Sequence, residues 1–176
     1  MIKTNSFLFF LLFLFSSMVT ANDDLSYVDG KKPFVLIKDI NRQAEAWGTC
    51  SAAYEIMATL LESTPAQAKK VKDLGNGASL AVVMSHVTHG LTSDITPEKF
   101  DALWAYSKTL ADSIPETRRT MILADAEALG DKGAELFANK ISETIKVCIS
   151  NLEGQQSYID TWRELAKSGL LKLPAK

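Results

Sequence analysis

The chain reads as an all-α protein, an elongated up-down-up-down four-helix bundle with a kink or break near Pro115 and a disulfide between helices. Three observations carry this reading. Apolar residues recur at spacings of three, four and seven through four long segments. No segment alternates apolar and polar residues with the period of two that a half-buried strand needs. Proline-containing helix-start signals separate the segments by short turns, which makes successive helices antiparallel neighbours.

The first helix is expected from Phe34 to about Ser63, with Leu36, Ile40, Trp47, Cys50, Tyr54, Met57 and Leu61 on its buried face. Gly48 lies inside it and costs about 1 kcal/mol against alanine. Beside Trp47, it is best read as a place where another helix comes close, so the helix is kept continuous. Thr64-Pro65-Ala66-Gln67 restarts the chain, with the threonine as cap, proline where a missing N–H costs nothing and a glutamine able to reach back.

Helix two turns Ala68, Val71, Leu74, Ala78, Ala81, Val82 and Ser85 inward and ends at Gly90. Its apolar phase continues through Gly75-Asn76-Gly77, which predicts a strained or kinked helix there rather than a turn. Thr96-Pro97-Glu98 opens helix three, whose stripe is Phe100, Leu103, Trp104, Ser107, Leu110 and Ala111. Ser113-Ile114-Pro115-Glu116 repeats the capping pattern and marks either a kink or a fresh helix to Leu129, closed by Gly130-Asp131. The fourth segment carries Leu136, Phe137, Ile141, Ile145, Cys148 and Leu152, then Tyr158, Trp162 and Leu165. Gly154 is a candidate interruption and Ser168-Gly169 the stop.

Outside the bundle domain of residues 34–169, three segments differ in character. Residues 1–21 read as a cleavable signal peptide: Lys3, the unbroken apolar run Phe7 to Phe15, and the small residues of Val19-Thr20-Ala21. Nine apolar residues are too few to span a bilayer, which takes about 20, so no stable membrane anchor is expected after cleavage. Residues 22–33 read as a flexible polar lead and residues 170–176 as a coil tail. The expected location is the periplasm of a Gram-negative bacterium, with extracellular release as the alternative; no Asn-x-Ser/Thr sequon occurs in the mature chain.

Cys50 and Cys148 are the only cysteines, and an exported pair usually becomes a disulfide. In the bundle they lie about 20 and about 26 Å from the same end, at 1.5 Å per residue. The two heights agree within roughly one helical turn, on neighbouring helices. Two buried free thiols are the alternative. A redox role lacks both a Cys-x-x-Cys spacing and a helix N-terminus.

The formal charge is −2 for the whole chain, and loss of Lys3 with the leader makes it −3. Neither nucleic acid nor an anionic membrane is indicated as a partner. His86 and His89 are the only histidines, spaced i, i+3 near the end of helix two. They are candidate ligand or partner contacts, although a metal needs a third ligand and a helix C-terminus favours histidine by itself. Arg118-Arg119, beside Pro115, are candidate docking residues or a solvated face. Trp47, Tyr54, Trp104, Tyr106, Tyr158 and Trp162 are read as core first and a lined pocket second.

No nucleophile elbow, phosphate loop, zinc-protease motif or calcium loop occurs. No cofactor is indicated and no catalytic residue can be named. The expectation is an exported binding or interaction module of chaperone, inhibitor or immunity type, its partner another protein and homodimerisation open. The alternative is a carrier of haem, metal or a small apolar ligand within the bundle.

Overall fold

A computed structural model describes residues 25–130 and 133–171. They form five helices: α1 Ile40–Leu60, α2 Pro65–Gly90, α3 Pro97–Leu129, α4 Ala134–Ser150 and α5 Leu152–Lys167. A 3-10 turn at Phe34–Leu36 precedes them, and no strand occurs among the described residues. The helices pack as a bundle joined by a Cys50–Cys148 disulfide, with Cα atoms 5.6 Å apart. The segment 1–21, expected to be a signal peptide, lies outside the described residues, as do 172–176 of the tail.

α1 starts later than its apolar spacing suggested. Asp39 is the N-cap, its carboxylate accepting from the Asn41 and Arg42 N–H groups at 3.0 and 3.2 Å. A carboxylate that satisfies two orphan donors fixes a helix start more firmly than periodicity does. Phe34 is fully buried, but Leu36 is 65% exposed and belongs to no helical face. At the next junction Pro65 holds the first helical position as expected. Thr64 does not cap, because its hydroxyl donates to the Leu61 carbonyl at 3.0 Å instead.

α2 runs unbroken through Gly75-Asn76-Gly77. Both glycines are buried. A β-carbon on Gly75 would sit 3.3 Å from Tyr54 Cβ, and one on Gly77 would collide with the Gln155 amide. The glycines bring α1 and α5 close to α2. Fully buried Ala44, Ala52, Ala53, Ala78 and Ala81 add to the small-residue packing of α1 and α2.

α3 is likewise one helix through Pro115, capped by the Thr96 hydroxyl, which accepts from the Lys99 N–H. No new helix begins at Ser113, whose hydroxyl donates back to Leu110. α3 packs against α1. Ile114 sits over Gly48, where a β-carbon would come within 2.5 Å of Ile114 Cγ2 and 3.4 Å of the Pro115 nitrogen. Arg118 then pairs with Glu45 and the adjacent Arg119 with Glu55, ten positions further along α1. The two adjacent arginines thus tie α3 to positions ten residues apart on α1. Gly130, at φ 60°, ends α3 in a conformation glycine adopts without strain.

The fourth segment divides at Asn151, three residues before the glycine that sequence marked. The Asn151 N–H bonds Cys148 O rather than Val147 O, and its side-chain amide donates to Val147 O at 2.9 Å in place of the lost bond. Its carbonyl oxygen Oδ1 accepts from the Phe34 N–H at 2.8 Å. The Phe34 carbonyl accepts from Gln43, which in turn accepts from the Tyr158 hydroxyl. This buried chain of hydrogen bonds joins the segment before α1 to α1, α4 and α5. Gly154 has a different use: it leaves room for Val35 and the Trp47 ring.

The lead expected to be flexible is docked from Leu25 onward. The Tyr27 N–H donates to Thr144 Oγ1 at 2.9 Å, its hydroxyl donates to Asp125, and Lys140 Nζ stands 4.6 Å over its ring. Val28 is buried. The tail also holds on at its start: Gly169, at φ 77°, turns the chain so that Leu171 N–H reaches Leu165 O and its side chain is buried.

Gly48→Ala is expected to destabilise the protein by about 1–3 kcal/mol through overpacking, despite alanine's better helix propensity. Most of that penalty should vanish in an Ile114→Ala background; a urea double-mutant cycle showing simple additivity counts against the close contact. Replacing both Cys50 and Cys148 by alanine should cost about 4 kcal/mol. Coincident urea midpoints for the oxidised parent and this variant count against the disulfide's role.

Candidate functional site

An open groove of about 580 Å³ is bounded by α1, α2 and α3. Beside the Gly48–Ile114 contact, the three helices leave a cleft along part of the C-terminal half of α1. One stripe of α1, Ser51, Glu55, Ala58 and Thr59, lines it lengthwise, with Glu62 in the turn just beyond the helix. α2 contributes Lys69, Lys72, Gly75, Asn76 and Ser79. α3 supplies Ala111, Asp112, Pro115 and Glu116. Small side chains alternate with charged ones, and the volume falls within the range of ligand-sized clefts.

Proline gives this groove a backbone feature. Pro115 has no N–H to donate to the carbonyl of Ala111, four residues earlier, so that carbonyl lacks its helical donor. Both residues line the groove. On the same wall, Arg119 is shared between Glu55 and Glu116 at 3.8 and 3.9 Å. Lys69 bonds Asp73 at 2.6 Å. Among the described residues Glu62, Lys72 and Asp112 have no ion-pair partner.

The residues singled out from sequence fare differently. Arg118 and Arg119 are ion-paired to α1, with side chains only 25% and 35% exposed. They clamp α3 on α1, and Arg119 reaches the groove's rim. Arg118 also borders a smaller cleft of about 310 Å³ with Tyr27, Ile37, Arg42 and Thr49. His86 and His89 do not act together. His86 is buried edge-on to the Tyr106 ring, centroids 6.2 Å apart, and its Nε2 has no hydrogen-bond partner. His89 is exposed in the last turn of α2. Among the described residues no three His, Cys, Asp or Glu side chains converge to hold a metal.

The aromatic set is mostly core. Trp47, Tyr54 and Tyr158 are buried, Trp104 and Trp162 half-buried, and Tyr106 is 59% exposed. Trp47 packs edge-on to Phe34 and Tyr158 at 4.9 and 6.2 Å. Burial alone pushes the Tyr54 phenol above its ordinary range. Asp125 is held below the usual carboxylate range, first by its hydrogen bond from Lys140 and then by that from Tyr27. The groove's charged residues escaped sequence reading. Gly75-Asn76-Gly77 and Pro115 did stand out there, as irregularities of single helices rather than as parts of one surface.

No known protein family, curated protein or solved structure matches this chain.

Desolvation, with a smaller contribution from the nearby His89 charge, lowers the His86 pKa below the ordinary 6.5. The unfolded state then binds a proton that the folded state refuses, so this contribution is complete above about pH 6.5 and is lost as pH falls below it. Denaturation midpoints are expected to decline between pH 7 and pH 5, with a shallower decline in His86→Gln. An unchanged slope in that variant removes His86 as the cause.

Proposed function

We propose that this protein is an exported helical interaction module that recognises another protein through the groove between α1, α2 and α3. One observation carries the reading: the groove combines a small-residue lining with charged side chains from three helices. Small residues let a partner's backbone approach, and the charges around them supply direction and selectivity. Chaperone, inhibitor and immunity roles all use such recognition, and the groove does not choose among them.

Export rests on the signal-like residues 1–21 and is compatible with the Cys50–Cys148 disulfide, since such bonds persist in oxidising compartments. The proposed compartment is the Gram-negative periplasm. Among the described residues no helix is long and apolar enough to cross a membrane.

A photo-crosslinking residue at Asn76, exposed within the groove, is expected to trap a protein partner in the native compartment. The same residue at Gln156, exposed on α5, should not, and Ser79→Trp should abolish the Asn76 product by filling the groove. Equal trapping at both positions, or indifference to Ser79→Trp, sinks the groove reading. The mass of the exported protein is expected to begin at Asn22 and to be two hydrogens light; a full-length or fully reduced mass contradicts cleavage or oxidation respectively.

A further inference from the structure

We propose that the groove accepts an extended segment of a partner protein carrying lysine or arginine at alternate positions, an inference that rests on the groove being the recognition surface. The argument is one of charge and spacing. Asp73 already engages Lys69, and Arg119 is divided between two carboxylates. Lys72 is then set against Glu62, Asp112 and one carboxylate of the Arg119 pair, so the lining is net negative. The α3 wall presents acceptors: the Asp112 and Glu116 carboxylates and, between them in sequence, the proline that deprives Ala111 of its helical donor. Such a wall favours a donor-rich cation over an anion.

Spacing selects the extended form. Asp112 and Glu116 are four residues apart, so they stand about 6 Å apart along α3. Alternate residues of an extended chain point to the same side about 6.6 Å apart. Two consecutive same-side cations therefore match two consecutive carboxylates. The α1 stripe from Ser51 to Thr59 runs for about 12 Å, enough for about four extended residues. Ala58 and Ser51 along that path leave room for the backbone between the charges.

The test uses the mature oxidised protein and labelled octapeptides, followed by fluorescence anisotropy at low and high salt. A peptide alternating lysine and alanine is expected to bind. Its affinity should fall at least tenfold when Glu62→Lys and Asp112→Lys are combined, the first exposed in the turn after α1 and the second exposed on α3. Reversing two remote exposed charges, Asp160→Lys with Glu164→Lys on α5, should leave it unchanged. A glutamate–alanine or serine–alanine peptide should not bind. Equal losses from groove and remote reversals, or preference for the acidic or neutral peptide, overturn the proposal. Should the lysine peptide fail while Asn76 still traps a partner that Ser79→Trp excludes, the cationic inference falls and the groove reading stands.

Discussion

Helix packing requires that backbones come close without clashing, and in this bundle that constraint falls on two turns of α1, Trp47 to Tyr54. Gly48 leaves the space that Ile114 of α3 occupies. Cys50 is bonded to α4. Tyr54 lies against the bare face of Gly75 on α2, and Trp47 reaches Phe34, Tyr158 and the face of Gly154 on α5. All four other helices are thus placed by neighbouring positions on one element. Because the contacts are steric, the arrangement has little slack: native interiors are packed to crystal-like density, and adding one methyl group is felt.

A second set of constraints is polar. Asn151 ends α4 by taking over a helical carbonyl with its own side chain, and with its other side-chain atom it holds the Phe34 backbone. Buried polar groups are stable only when paired. The break in the fourth segment and the docking of the chain before α1 are therefore two sides of one arrangement. Tyr27, clasped by Asp125, Lys140 and Thr144, extends it outward. The groove is the complement of these choices. With α3 seated on α1 at Gly48 and held by Arg118 and Arg119, a cleft remains between α1, α2 and α3. The α1 stripe of small and acidic residues faces it.

Legibility from sequence followed the range of the interaction. Local devices were read well: Pro65 and Pro97 at helix starts, Gly130 and Gly169 at helix ends, and Gly48 as a point of close approach. The Cys50–Cys148 pairing was also reachable, because heights in a bundle follow from counting residues. Errors arose where a side chain competed with periodicity. Asp39 shortened α1, and Asn151 divided the fourth segment, although apolar spacing runs through both places. His86 and His89 looked alike by spacing, yet one is buried and the other exposed, since three residues on a helix differ by about 60° in direction.

By itself, then, the sequence determined the all-helical class, several helix starts and ends, part of the buried core and the covalent link between α1 and α4. These depend on apolar period, on proline and glycine chemistry, and on residue counts, all of them local properties. Tertiary structure decided how α3 seats on α1, how the fourth segment divides its packing between α1 and α2, and therefore where a groove opens and which charges border it. Those outcomes arise from pairs such as Gly48 with Ile114, Gly77 with Gln155, and Asn151 with Phe34. Their members lie from 66 to 117 residues apart in the chain, and no periodicity within a helix records which of its small or polar residues will meet which partner.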